Sequence, residues 1–155
     1  MASTSDQAAA PVKTPCIGIC STTSLGDNLC RGCKRFAFEV IDWNLYGADE
    51  KRAVLLRIDK LVNQIMEPRF VIHSRERLQQ GMRQQGVPVH PELSAYGWLH
   101  ALLKKRHGRI TELSPYGAAL RPDYAHRPLA GVWEEADGEL LRLCEAHQQR
   151  YFSAV

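Results

Sequence analysis

Apolar residues recur at three- and four-residue steps along much of the chain, and this period predicts helices. In the first half it predicts a helix over residues 34–45 and a second helix over residues 48–66, which cannot continue past Pro68. Gly47 stands at the N-cap position of the second helix. Because so short a turn joins the two helices, we expect them to pack as an antiparallel hairpin.

The first of these helices carries its apolar residues on two neighbouring strips. One strip holds Phe36, Val40 and Trp43, and the other holds Phe38, Ile41 and Leu45. The two strips together predict one broad apolar face that packs against the rest of the protein.

Further helices are predicted in the second half, where the same period continues. They cover residues 75–85, a stretch opened by Pro91 and Glu92 that runs to Arg106, and residues 133–151. Residues 109–131 contain repeated prolines and glycines and predict an irregular surface segment. No useful alternation of apolar and polar residues predicts a strand, so the expected fold class is mostly α.

The composition divides the chain into three parts. Residues 1–14 are small, polar and rich in alanine, and predict a disordered leader. Residues 15–66 predict a cysteine module of turns followed by the helical hairpin, which would pack against it. Residues 67–155 predict a C-terminal region of further helices and irregular loops, whose role the sequence does not define.

Bulk properties are those of a soluble globular protein, with 45% hydrophobic and 24% charged residues among 155. The apolar runs are too short to span a bilayer, and the N-terminus lacks the features of a secretory signal. We therefore expect a cytoplasmic protein. Clustered cysteines in that reducing compartment are more often metal ligands or redox groups than disulfides, although an exported protein would favour disulfides.

Four of the five cysteines are Cys16, Cys20, Cys30 and Cys33, which form two closely spaced pairs. Two short chelating turns with this spacing can place four thiolates around one metal ion. The segment holds few apolar residues, whereas a structural zinc ion contributes on the order of 10–16 kcal/mol in finger-sized peptides. The metal would therefore replace a hydrophobic core.

Zinc is the favoured metal because it accepts a tetrahedron of thiolates and needs no open coordination position. A single iron ion or an iron–sulfur cluster is the alternative, although ferredoxin spacings place three cysteines together and the fourth apart. A thiol redox role also stays open.

The cysteine frame resembles a known family. The residues that carry the resemblance are Pro15-Cys16-Ile17-Gly18-Ile19-Cys20, Leu29-Cys30-Arg31-Gly32-Cys33, Arg35, Glu39-Val40 and Trp43. They resemble the YdhL-like family (domain of unknown function 1289) over about residues 14–60. Its members are small bacterial cysteine-rich proteins that are often labelled predicted iron–sulfur proteins. The resemblance implies that the four paired cysteines are metal ligands, and it implies no reaction.

Charge is unevenly distributed, because residues 67–131 are rich in basic side chains and the end of the chain is rich in acidic ones. The candidate polyanion contacts lie at one helix end: Lys104, Lys105, Arg106 and Arg109. The alternative, which we favour, is that this basic segment docks on the acidic helix of the same chain. That helix bears Glu134, Glu135, Asp137 and Glu139.

No catalytic constellation emerges. Cys144 lies three residues before His147, a spacing that could pair a nucleophile with a base, but a buried thiol beside a boundary histidine is the more common arrangement. No phosphate-binding loop, nucleophile elbow or zinc-protease motif occurs, and no small-molecule substrate is evident.

We therefore expect a non-enzymatic metal-binding protein, a structural zinc module that mediates an interaction with a protein or, less favoured, with nucleic acid. The alternative is an iron–sulfur or single-iron protein for electron transfer or redox sensing.

Overall fold

The computed structural model describes residues 12–17 and 20–152, and of Thr23, Tyr151 and Phe152 it describes only the backbone. Residues 1–11 of the predicted leader lie outside the described residues. Val12, also within that predicted leader, is buried against Trp43, Val54 and Leu55.

The protein is mostly helical, as predicted. The cysteine segment contains one short helix, α1 (Ser21–Leu25), where the sequence predicted turns alone. Helix α2 (Ala37–Asp42) continues into a single 3-10 turn (Trp43–Leu45), so the predicted first helix begins three residues late. Its start is set by Glu39, whose Oε1 accepts from the backbone N–H of Phe36 at 2.9 Å.

Helix α3 (Ala48–Met66) has the predicted limits. Glu50 in its first turn accepts from the backbone N–H of Gly47 at 3.4 Å, which is half of a capping box. Helix α3 packs against both long helices of the second half and so forms the centre of the structure.

Two short strands were missed by the sequence prediction. Strand β1 (Phe70–Ile72) pairs antiparallel with β2 (Ala118–Leu120), with Phe70 opposite Leu120. Three residues are too few to show an alternating pattern, which explains the omission. Helix α4 (Arg75–Gln84) follows β1 and is capped by the Ser74 hydroxyl, which accepts from the backbone N–H of Arg77 at 3.2 Å.

The last two helices begin at other residues than predicted. Helix α5 (Ala95–Arg106) starts later because Ser94 caps it, with its hydroxyl accepting from the backbone N–H of Gly97 at 3.1 Å. Helix α6 (Leu129–Phe152) starts earlier, directly after Pro128.

The main hydrophobic core lies where α3, α5 and α6 meet. Its fully buried members include Met66, Leu99, Leu102, Val132 and Leu140. Leu29 and Phe36 of the cysteine module also belong to this core, so the module packs directly on the helices.

The broad apolar face predicted for the first helix is only half buried. Phe36 and Trp43 are buried, whereas Phe38, Ile41 and Leu45 are 43%, 70% and 83% exposed. The second strip lies about half a turn around the helix from the first, so both strips cannot face α3, and the buried side also carries Glu39, which pairs with Arg57 of α3. Among the described helices, none is long and apolar enough to cross a membrane.

Candidate metal centre

The second cysteine pair lies in a tight turn between two short antiparallel segments. Leu29 pairs with Phe36 in an isolated bridge, and the backbone N–H of Cys30 donates to the carbonyl of Arg35 at 2.9 Å. The chain reverses at Lys34, whose φ of 67° lies in the left-handed region. A lysine is uncommon in this conformation, which costs roughly 1 kcal/mol or more, so the surroundings must enforce it.

This turn directs hydrogen-bond donors at Cys30. Burial alone would raise the pKa of the Cys30 thiol, but donors outweigh it and lower the pKa to about 6. The donors are the backbone N–H groups of Cys33, Ser21 and Gly32 and the thiol of Cys33. Cys30 is therefore surrounded in the way that a thiolate or a metal-bound sulfur requires.

The Cys33 sulfur accepts a hydrogen bond from a cationic side chain. Burial raises the pKa of its thiol, while the Arg35 guanidinium opposes this by donating from Nε to Sγ at 3.2 Å. The same guanidinium lies over the ring of Trp43, 4.8 Å from its centroid. Arg35 is 3% exposed and held on both sides, so its charge is fixed beside the sulfur.

The first cysteine pair is connected to the second by a hydrogen bond next to Cys20 and by a cavity that Cys16 lines. Ser21, next to Cys20, is tied to the second turn because its hydroxyl accepts from the backbone N–H of Arg31 at 2.9 Å. Cys16 is exposed and lines, together with Cys33, a cavity of about 170 Å³. Gly18 and Ile19, which join Cys16 to Cys20, lie outside the described residues.

The two cysteine segments are thus connected, but the four cysteines are not brought into one ligand shell. Within residues 12–17 and 20–152, no three His, Cys, Asp or Glu side chains are grouped as metal ligands would be. The donor set still fits a thiolate-bound metal, because donors face Cys30 and Cys33 and the other two cysteines lie on adjacent chain. The four-ligand assignment stays a prediction.

The side chains of two lysines donate to backbone carbonyls of the same turn. The Lys34 side chain is 2% exposed; its Nζ donates to the carbonyl of Arg31 and lies 3.3 Å from Asp137 Oδ1 on α6. Lys104 of α5 donates from Nζ to the carbonyl of Gly32 at 2.8 Å. Burial and the nearby Lys34 ammonium lower the pKa of Lys104 to about 8, so it is still protonated at neutral pH.

Asp137 joins these lysines to a buried histidine. His100 Nε2 lies 3.2 Å from Asp137 Oδ1, and burial lowers the pKa of His100 to about 4 despite this contact. Burial alone would raise the pKa of Asp137, but the His100 hydrogen bond and the charge of Lys34 lower it to about 2. At neutral pH the cluster therefore holds a carboxylate, a neutral imidazole and two ammonium groups.

The four predicted polyanion contacts do not share one surface. Lys104 is directed into the structure, and Arg106 donates to the backbone carbonyl of Gln85 at 3.2 Å. Lys105 and Arg109 are exposed. The acidic helix finds its basic partners within the chain, because Arg69 pairs with Glu139 at 2.5 Å and Lys34 with Asp137.

The fifth cysteine lies apart from the turn, on α6. Burial raises the pKa of Cys144 to about 11, which leaves a protonated thiol of low reactivity. Sequence reasoning gives Lys34 and His100 no role at this site, names Arg35 only as part of the family resemblance, and assigns Asp137 only to helix docking. The sequence signal was the pair of basic residues directly after Cys33, where an apolar helix was predicted to start.

The cysteine module is the part of the chain that is similar to known proteins. Residues 14–61 match the model of a family described as "Protein of unknown function (DUF1289)", which confirms the resemblance over that segment. The uncharacterized protein YdhL of Escherichia coli K12 is 44% identical over 45 residues, which are 29% of this chain and 54% of YdhL. The same figures hold for YdhL of Shigella flexneri. The chain thus spans about half the length of the curated relatives it matches, and no solved structure matches it significantly.

Proposed function

Starting from the match of residues 14–61 to that family, we propose that this is a metal-binding protein whose four paired cysteines hold one zinc ion. The observation that carries the proposal is the set of donors around Cys30, three of them backbone N–H groups, which lower its thiol pKa to about 6. Zinc requires deprotonated thiols, and a site that stabilises a thiolate before the metal arrives favours binding. Arg35 also donates to the Cys33 sulfur, from Nε to Sγ at 3.2 Å.

Ligand substitution tests this directly. In protein purified without oxygen, Cys30→Ser should lose most of its metal by elemental analysis, because one thiolate and its backbone donors are then separated from the ion. Cys144→Ser is the matched control, since Cys144 is equally buried but belongs to α6. A normal metal content in Cys30→Ser would contradict the four-thiolate site.

A second candidate is an iron–sulfur cluster or single iron ion with a role in electron transfer or redox sensing. The cavity of about 170 Å³ that Cys16 and Cys33 share supports it, because a cluster occupies more space than one ion. Backbone and arginine donors to sulfur also tune the potentials of such centres. Zinc protein is colourless, whereas an iron–sulfur protein is brown, so absorption near 400 nm, about where thiolate-to-iron charge transfer falls, separates the two candidates.

The zinc module would act on a protein partner. The exposed strip of Phe38, Ile41 and Leu45 on α2 and its 3-10 turn supports this, because large apolar side chains grouped on a surface favour association. Nucleic acid is less favoured as a partner, since Lys104 and Arg106 are engaged with carbonyls of the chain itself.

A further inference from the structure

Three cationic side chains are gathered around the second cysteine pair, and two of them are almost inaccessible. The side chain of Lys34 is 2% exposed and Arg35 is 3% exposed, while Lys104 donates to the carbonyl of Gly32 between the two cysteines. Charged side chains are rarely buried unless an opposite charge accompanies them.

Among the residues that the structure describes, one carboxylate contacts this cluster. Asp137 lies 3.3 Å from Lys34 Nζ and contacts His100, which is neutral at pH 7. Other buried acids nearby are engaged elsewhere: Glu39 is paired with Arg57, and Asp59, which also lines the cavity, accepts hydrogen bonds from Ser94 and Asn63. Three cations and one carboxylate leave an excess of two positive charges.

A divalent metal ion held by four thiolates carries two negative charges. We infer that Lys34, Arg35 and Lys104 are the counter-charge of such a dianionic centre, so that α5 helps to hold the metal although it supplies no ligand. This inference rests on the proposed function. It explains why a lysine, rather than a glycine, occupies the left-handed position after Cys33, because only a side chain can carry a charge there.

The inference also gives the C-terminal region a role toward the module. Lys104 reaches the cysteine turn from α5, and the Asp137 carboxylate of α6 lies beside Lys34 and limits the positive charge there. Residues that lie outside the family match are therefore part of the surroundings of the metal. Lys34, Arg35 and Lys104 are positioning residues, since they act on the metal through the sulfurs and the turn.

The test compares zinc affinity in the full-length protein, measured by competition with a chromophoric chelator. Lys104→Met should lower the affinity about 10–100-fold, as substitutions around metal ligands commonly do. Lys105→Met is the matched control. Lys105 is the exposed neighbour of Lys104 on α5, so its substitution should change the zinc affinity less than about twofold. Asp137→Asn should instead raise the affinity severalfold, since it removes a charge that repels the dianionic centre.

The opposite signs separate charge balance from structural support. If Lys104→Met and Asp137→Asn both weaken zinc binding, these residues only support the fold and the inference is overturned. If Lys104→Met does not fold, Asp137→Asn decides alone: a tighter site supports the inference and a weaker or unchanged one rejects it. Wild-type protein that binds no metal would refute the proposed function, whereas normal wild-type binding with an unchanged Lys104→Met affinity refutes the counter-charge alone.

Discussion

The cysteine turn and the helical core bury opposite kinds of side chain. The core between α3, α5 and α6 excludes water with leucines, valines and methionines that are fully buried. The turn buries Lys34, Arg35 and Glu39 instead, each with a charged or hydrogen-bonded partner. Apolar burial stabilises in any context, whereas buried charge stabilises only when its partners are present. The two regions should therefore respond differently to the same perturbation.

Metal removal should give the largest difference between them. Because a structural zinc ion contributes on the order of 10–16 kcal/mol to finger-sized peptides, chelation should unfold the cysteine module over residues 15–46 selectively. Amide exchange measures this through the N–H groups of Cys30, Lys34 and Ala37, which donate across the turn. Amides of α5 should stay protected. Equal protection of both regions after complete metal loss would contradict the proposal.

Truncating the core should give the converse result. Leu102 is 0% exposed, so Leu102→Ala should cost about 2–5 kcal/mol in the free energy of unfolding, measured by urea denaturation of the metal-loaded protein. The control is Leu56→Ala on α3, where the leucine is 54% exposed and the expected cost is below about 1 kcal/mol. The zinc content of Leu102→Ala should stay normal under native conditions, because the sulfurs are untouched.

Acid should destabilise the junction of the two regions through His100. Its pKa is lowered from 6.5 to about 4 in the folded protein, so between these values the unfolded chain binds more protons and stability falls as the pH falls. The full loss over this window is about 3 kcal/mol. The groups that face His100 are Asp137, Lys34 and Lys104, and Asp137 stays ionised down to about pH 2.

Melting temperatures between pH 7 and 4.5 measure this loss. His100→Gln keeps a polar side chain that can hydrogen-bond to Asp137 but cannot titrate, so its melting temperature should depend less steeply on pH. Parallel curves for the wild type and the variant would show that His100 does not carry the acid sensitivity.

The sequence predicted the helices well where periodic apolar residues decide the structure. The limits of α3 were obtained in full, because Gly47 and Pro68 bracket a long stripe. The start of α5 was predicted too early because Pro91 and Glu92 also form a typical helix start, whereas the helix begins after the cap Ser94. The hydroxyl of Ser94 also donates to Asp59 on α3 at 3.0 Å, a contact between distant residues that no local pattern shows.

The candidate site could be located from the sequence, but its surroundings could not. Four cysteines at paired spacing indicate a metal wherever they occur, since the spacing itself is the signal. Lys104 looked like part of a solvated basic surface, because its neighbours in sequence are basic. Its half-buried contact with Gly32 depends on how α5 packs on the turn, which is a long-range property of the fold.

The smallest effect on stability is expected for the exposed apolar strip of the module. Leu45 is 83% exposed, so Leu45→Ser should change the free energy of unfolding by less than about 0.5 kcal/mol. The same change removes much of the apolar surface that the proposed protein partner would contact, and should weaken that association by about 1 kcal/mol or more if Leu45 lies at the centre of the interface.

Lys60→Ser on the exposed side of α3 is the control for a polar surface change. Proteins retained on the immobilised metal-loaded wild type but lost on the Leu45→Ser variant would support the strip as the docking face. Equal retention on all three proteins would place the partner surface elsewhere, and a large loss of stability in Leu45→Ser would show that the strip belongs to the fold itself.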